Sequence, residues 1–313
     1  MKQSSTRGPT HSAKEAYNFG PNPWQQTSWD GRAAGNFIGG GAGGGLIVFS
    51  ALSGVQGMAL TVMMLAGLAL VGGGLLSVWF EIGRPLRALN VIFNPRSSWM
   101  SRESLVAFAL FPAGLAAAVG LPGAAALAAL LACLFVYCQA RLVLAAKGIP
   151  AWREPALLPL LLITAGAEGG GLFLLARALP LPQTQPGVHW LWALFMALVL
   201  ARALLWLVWR TRLAGVAAPR ALAAIDRAGA LLLMLGSLLP LALVVLVVNG
   251  PSGVAATAWL LGAAGLAAAL AGAWFKFTLI TRAAFNQGFA LKRLPVRGTA
   301  HVSGTAPSDP KGV

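Results

Sequence analysis

The sequence reads GMALTVMMLAGLALVGGGLLSVWF from Gly57 to Phe80, with no charged residue in these 24 positions. About 20 consecutive apolar residues are enough to cross the hydrocarbon core of a bilayer as an α-helix. The next stretch, residues 81–104, reads EIGRPLRALNVIFNPRSSWMSRES and holds four arginines and two glutamates, although only 10% of the chain is charged. Gly57–Phe80 therefore predicts a membrane-spanning helix that ends at a charged connection.

The rest of the chain repeats this alternation of apolar runs and short connections. It has 313 residues, of which 58% are hydrophobic, and a mean hydropathy of +0.74, far too apolar for a soluble domain. We predict an all-α integral membrane protein of about eight transmembrane helices. The spans lie at about 33–52, 57–80, 103–119, 122–145, 155–179, 187–210, 229–249 and 255–280.

A short repeat suggests how these helices are grouped. GGGL occurs in GGGAGGGL, Gly39–Leu46, and again at Gly169–Leu172, in spans that point the same way. Small residues of this kind are typical of close helix packing in membranes. We therefore expect two related four-helix bundles, about 33–145 and 155–280, between an N-terminal tail 1–32 and a C-terminal tail 281–313.

The basic residues are distributed on one side of this topology. The tails and the connections 81–102, 146–154 and 211–228, with their edges, carry nearly all 23 Lys and Arg, whereas the alternate loops carry none. The positive-inside rule then places both tails in the cytoplasm. The net charge of +15 is explained by this rule, so we do not infer nucleic-acid binding.

The sequence offers few ligands for a bound metal or haem. Its only histidines are His11, His189 and His301, and no two of them face each other inside the bilayer. The two cysteines, Cys133 and Cys138, match no zinc or iron–sulfur spacing. We expect no haem, no iron–sulfur cluster, no molybdopterin and no metal in this chain.

Two glutamates, Glu81 and Glu103, flank the charged connection at the ends of spans two and three. They are either solvated, with Arg84, Arg87 or Arg102 as partners, or a protonatable pair at the mouth of a pocket between helices. In the second case a carboxylate hydrogen-bonds a quinone carbonyl and exchanges the proton that accompanies each electron. The arginines of this connection bind lipid headgroups or an acidic partner protein.

Two further constellations carry charge near or inside the membrane. Arg141 and Trp152 follow span four; Arg141 is either a cation that extends from a helix end to the interface or part of the pocket. Glu168 lies near the middle of span five, and an intramembrane carboxylate suggests a functional site. Arg202 in span six is its expected partner, in either a structural ion pair or a proton path.

Three stretches of the chain carry a resemblance to a known family. They are EIGRPLRALN, residues 81–90; SSWMSRES, residues 97–104; and Arg141 followed by IPAW, residues 149–152. Together they resemble the membrane-anchor subunit of dimethyl sulfoxide reductase (DmsC). That subunit belongs with the wider polysulfide-reductase and NrfD-like anchors. The tail segment RAAFNQGFALKRLPVRG, residues 282–298, is similar to the anchors of sulfite dehydrogenase and phenylacetyl-CoA:acceptor oxidoreductase.

The resemblance implies a haem-free, non-catalytic subunit of an oxidoreductase complex in a bacterial inner membrane, of the kind used in anaerobic respiration and sulfur metabolism. Such an anchor holds an iron–sulfur subunit and a molybdopterin catalytic subunit at the membrane and exchanges electrons with menaquinone or ubiquinone. The family's quinol-site glutamate falls on Glu103, and its quinol-site histidine falls on Glu81, which is a departure. Arg141 and Trp152 would complete the quinone site, and the docking residues would be Arg84, Arg87, Arg96 and Arg102.

Two other interpretations remain at this point. Eight spans, abundant glycine and the Glu168/Arg202 pair also fit an ion-coupled transporter. A passive membrane anchor without a quinone site is the third interpretation.

Overall fold

The computed structural model of the chain describes residues 23–80, 90–179, 189–250 and 253–288. The sequence predictions for Glu81, Arg84, Arg87 and most of both tails lie outside these residues. The helices in chain order are α1 Gly31–Leu52, α2 Gly57–Trp79, α3 Trp99–Ala118, α4 Ala124–Ala145, α5 Pro150–Arg153, α6 Leu157–Ala178, α7 His189–Arg212, α8 Pro219–Leu233, a π-helical turn Met234–Leu238, α9 Leu239–Asn249 and α10 Val254–Thr281.

The all-α membrane fold is confirmed. Within the described residues, seven helical segments are long and apolar enough to cross a membrane: α1, α2, α4, α6, α7, the continuous segment Pro219–Asn249, and α10. The remaining long helix, α3, has 20 residues and is less apolar because Arg102 and Glu103 lie in its first turns. The chain is therefore a multi-pass membrane protein.

The helix that was predicted at about 229–249 begins earlier. α8 starts at Pro219, where proline is well tolerated because a first-turn N–H has no partner inside the helix. One face of its first turns is exposed and carries Arg220, Asp226 and Arg227. Asp226 on this face forms a salt bridge with Arg210 of α7. The charges of 211–228 therefore lie largely on a helix surface and not in a flexible connection.

Glycine residues allow the backbones of α1 and α6, the two most buried long helices, to touch. α1 contacts α2 and α4 of the first predicted half and α6 and α10 of the second. The two GGG segments meet directly, since a Cβ on Gly169 would overlap backbone atoms of Gly45. The GGGL repeat thus identifies an interface between the halves, in keeping with the packing role of small residues in membranes.

This interface gives a first prediction. Gly169→Ala should destabilise the protein by about 1–3 kcal/mol, because the added methyl overlaps the α1 backbone and the helices must separate. The matched control is Gly73→Ala in α2, where a Cβ meets no atom within 4 Å. Alanine favours a helix over glycine by about 1 kcal/mol, so the control should be neutral or stabilising. Thermal unfolding in detergent measures both, and equal midpoints would contradict the close α1–α6 contact.

The apolar core divides by depth in the bundle. One cluster packs Leu46, Phe49 and Phe173 with residues of α2, α3, α4 and α7. A second packs Phe37 and Trp209 with residues of α4, α5, α6, α8 and α10, and a small third cluster joins Val244, Val247 and Leu261. Both large clusters draw on the two predicted halves, so the halves share their core.

The charged connections converge at one end of the bundle. Arg32 Nη1, beside the start of α1, donates to the Phe80 carbonyl after α2 at 3.1 Å. Arg212 at the end of α7 pairs with Glu154 at 3.3 Å. We call the end of the bundle that carries Arg32, Glu154 and Arg212 the basic end.

Candidate functional site

The basic end contains a buried carboxylate. Glu103 is the fifth residue of α3 and is only 3% exposed. Asn36 Nδ2 of α1 and Gln139 Nε2 of α4 both donate to its Oε1, at 3.0 and 3.1 Å. Gln139 Nε2 also donates to the Asn36 carbonyl at 3.0 Å. The two amides therefore fix one carboxyl oxygen and leave Oε2 free of both.

Glu103 lies in the wall of a pocket of about 340 Å³. The other residues of the wall are mostly apolar. Most come from the segment before α1, from α1 and from α2, among them Trp29, Leu75, Val78 and Trp79, and the rest are Val91, Met100, Ser104 and Leu142. Asn36 also lines it, and its Oδ1 is buried without a hydrogen-bond partner among the described residues. Since an unsatisfied buried acceptor is costly, Asn36 Oδ1 is suited to accept a hydrogen bond from a ligand.

Trp152 and Arg141, which were predicted to line this pocket, lie outside its wall. Trp152 is buried; it stacks on Trp29 with ring centroids 4.9 Å apart, and its Nε1 donates to the Leu279 carbonyl at 3.0 Å. Trp152 therefore packs behind Trp29, which is part of the pocket wall, and does not line the pocket itself. The Arg141 guanidinium lies 4.8 Å from the ring centre of Trp99 at the start of α3.

The predicted docking arginines have different environments. Arg102 donates from Nε to the Pro95 carbonyl at 2.8 Å and from Nη2 to the Arg96 carbonyl at 2.9 Å, and it lies 4.1 Å from the Trp99 ring centre. These contacts hold the connection against α3, so Arg102 shapes the loop itself. Arg96 is exposed.

The intramembrane carboxylate has a different partner from the one predicted. Glu168 is fully buried, and its Oε2 lies 2.5 Å from Lys276 Nζ of α10. Arg202 is also fully buried, but it donates to the carbonyls of Ala268, at 3.0 Å, and Gly236 in the π-helical turn. The predicted Glu168–Arg202 ion pair is thus wrong as a direct contact. Both Nη groups of Arg202 donate to backbone carbonyls of α10 and the π-helical turn, and Glu168 pairs with Lys276 instead.

Lys276 also connects this pair to α1. Its Nζ donates to the Phe37 carbonyl at 3.0 Å, one residue from Asn36 of the Glu103 cluster. Glu168 Oε1 is buried without a hydrogen-bond partner among the described residues. Two polar clusters, Glu103–Asn36–Gln139 and Glu168–Lys276, therefore lie against neighbouring parts of α1 inside a largely apolar bundle.

Sequence reasoning missed Asn36, Gln139 and Lys276. Each is a polar residue inside an apolar run, and such residues in membrane spans often have functional or structural partners. That signal was present in the sequence. Their partners could not be read from it, since Lys276 is 108 positions from Glu168 and Asn36 is 67 positions from Glu103.

Comparisons with known proteins identify no relative: no protein-family model and no curated protein matches this chain. In the parts of the chain that the structure describes, no group of three or more His, Cys, Asp or Glu residues could hold a metal ion. The fold and the site thus define a multi-pass helical membrane protein with a buried carboxylate in a pocket at its basic end.

Proposed function

We propose that this chain is the haem-free membrane anchor and quinone-reactive subunit of a molybdopterin and iron–sulfur oxidoreductase. The observation that carries the proposal is the buried Glu103 carboxyl group in the wall of an apolar pocket, beside the unpartnered acceptor Asn36 Oδ1. The resemblance of residues 81–104 to the dimethyl sulfoxide reductase type of anchor supports the same conclusion.

The pocket fits a quinone ring in size and chemistry. Its volume lies within the range of about 300–1,000 Å³ that small-molecule sites occupy, and Trp29, Trp79 and Leu75 offer apolar surface to a flat ring. Quinones carry two electrons and two protons between partners in the membrane. Glu103 offers a carboxyl group that gives or takes a proton, and Asn36 Oδ1 offers an acceptor for a hydroxyl group.

The amides of Asn36 and Gln139 have a positioning role in this proposal. Both donate to Glu103 Oε1, which orients the carboxyl plane and directs proton exchange to Oε2. Gln139 is itself held by the Asn36 carbonyl. Among the described residues, two neutral amides and no charged side chain hold this carboxyl group in its orientation.

Partner docking is proposed for the basic end. A chain with no redox centre needs its quinone close to the cluster of a partner, so the site and the docking surface should coincide. Glu103 lies about 6 Å along α3 from its first residue, at 1.5 Å per residue. Exposed Arg96, together with Arg84 and Arg87, which lie outside the described residues, would contact an acidic partner surface.

This arrangement requires the basic end to face the cytoplasm. We expect a reporter that is active only in the periplasm to stay silent when fused after Val313, because the loops at the other end lack Lys and Arg. The same reporter inserted at 250–254 should be active. Activity of the fusion after Val313 would reverse the orientation and remove the argument for cytoplasmic partners.

The proposed function is tested by isolating the assembled complex. The chain is purified from native membranes through a tag, the co-purifying subunits are identified by mass spectrometry, and quinone-linked turnover is assayed. An iron–sulfur subunit and a molybdopterin subunit, with turnover that needs quinone, would bear out the proposal. A complex that assembles but turns over only with soluble dyes would leave the passive anchor as the better interpretation.

A second candidate function is ion-coupled transport, which the buried Glu168–Lys276 pair favours. An ion pair in the membrane interior often marks an ion or proton path. The full chain in proteoliposomes with an imposed membrane potential provides the test. Cation or proton uptake that Glu168→Gln abolishes, in a chain that purifies without partner subunits, would favour the transporter.

A further inference from the structure

A second pocket at the basic end is unrelated to Glu103. It lies between α8 and the end of α10, with a volume of about 560 Å³. Three arginines line it: Arg220, Arg227 and Arg282. Asp226, next to Arg227 in sequence, is bound to Arg210 of α7. Among the residues the structure describes, no carboxylate lines the pocket, so it presents uncompensated positive charge.

A buried hydroxyl group also lines this pocket. Thr278 of α10 is 3% exposed, and its Oγ1 has no hydrogen-bond partner among the described residues. Hydroxyl groups buried in helices usually donate to a nearby carbonyl or to a ligand. Thr278 therefore offers a donor to a ligand that enters between the arginines.

The pocket changes from basic to apolar along the bundle axis. Arg220 and Arg282 lie at the ends of their helices, whereas Leu231 and Trp274 line the pocket further inside. At 1.5 Å per residue, Leu231 is about 16 Å from Arg220 along α8. The Arg282 side chain turns back along α10, and its guanidinium lies 4.8 Å from the ring centre of Trp274. The Trp274 ring therefore lies where the basic part of the pocket meets its apolar part. A ligand that fills it has an anionic head and an apolar body.

We propose that this pocket binds the phosphodiester headgroup of an anionic membrane phospholipid. Arg220, Arg227 and Arg282 contact the phosphate oxygens, Thr278 Oγ1 donates to one of them, and an acyl chain lies along Leu231 and Trp274. Arginine suits this role because its planar guanidinium bonds phosphate through two N–H groups. Basic pockets between transmembrane helices at the membrane interface bind such headgroups.

The test measures lipid binding to the delipidated full chain in neutral detergent, by native mass spectrometry and by the unfolding temperature at increasing lipid. Cardiolipin and phosphatidylglycerol should bind and raise the unfolding temperature, whereas phosphatidylcholine and inorganic phosphate should have little effect. Arg227→Gln with Arg282→Gln should weaken cardiolipin binding by at least about tenfold. Thr278→Val, which keeps the side-chain volume, should weaken it by a smaller factor.

Matched controls separate a site from a general charge effect. Arg212→Gln removes an exposed arginine from the same end but outside the pocket, and it should leave cardiolipin binding unchanged. Arg227→Lys keeps the charge and should retain more binding than Arg227→Gln. Equal effects of inorganic phosphate and cardiolipin would overturn the lipid assignment. Unchanged cardiolipin binding in the double arginine variant would overturn the site.

Discussion

Glu103→Gln should lower quinone-linked turnover of the assembled complex by at least tenfold. The substitution keeps the size of the side chain and its Oε1 acceptor for Asn36 and Gln139, but it removes the ionisable proton. Positioned acid–base groups contribute about 10²–10⁴-fold to proton transfer. Turnover is measured with a quinone analogue and, in parallel, with a soluble dye that reacts directly at the catalytic subunit, where activity should be retained.

Glu154→Gln is the matched control for this experiment. It makes the same chemical change at the basic end, in a carboxylate that pairs with Arg212 and does not line the Glu103 pocket. Its quinone-linked turnover should stay close to that of the parent complex. Normal turnover in Glu103→Gln, with assembly confirmed by co-purification, would disprove the assignment of Glu103.

Lys276→Met should be the most destabilising single substitution at the polar positions described above. It leaves Glu168 buried in the bundle without its counter-ion, and removing one partner of a buried ion pair typically costs about 3–5 kcal/mol. We expect little folded protein in membranes and a sharply lower unfolding temperature for what is recovered. Lys147→Met, which removes an exposed lysine, should have little effect.

The double substitution Lys276→Met with Glu168→Gln shows whether Lys276→Met destabilises the protein through the unpaired charge of Glu168 or through altered packing. Removing both charges should recover much of the stability that Lys276→Met loses, because the unpaired carboxylate is then absent. If the double variant is no more stable than Lys276→Met, the loss comes from packing around α1 and α10 and the pair has no electrostatic role. Ion-coupled transport, if present, should be absent from the recovered double variant.

The sequence identified Glu103 as a candidate site residue, but it did not identify the residues that contact Glu103. The charged stretch at 81–104 directed attention to Glu103, because charge is rare in this chain. Asn36 and Gln139 could not be assigned as its partners, since helices that are apolar on every side give no periodicity from which to read which face meets which neighbour. The family resemblance placed Arg141 and Trp152 in the pocket, whereas the structure turns their side chains towards Trp99 and Trp29.

The sequence by itself determined that this is an all-α membrane protein and that its basic connections belong to one side. Both follow from quantities that are local in the chain, namely the length of an apolar run and the charge of each connection. Tertiary structure decided which polar groups meet. Close glycine contacts hold α1 against α6 at Gly45–Gly169 and α6 against α10 at Gly171–Gly265. The second of these helix pairs carries the Glu168–Lys276 contact.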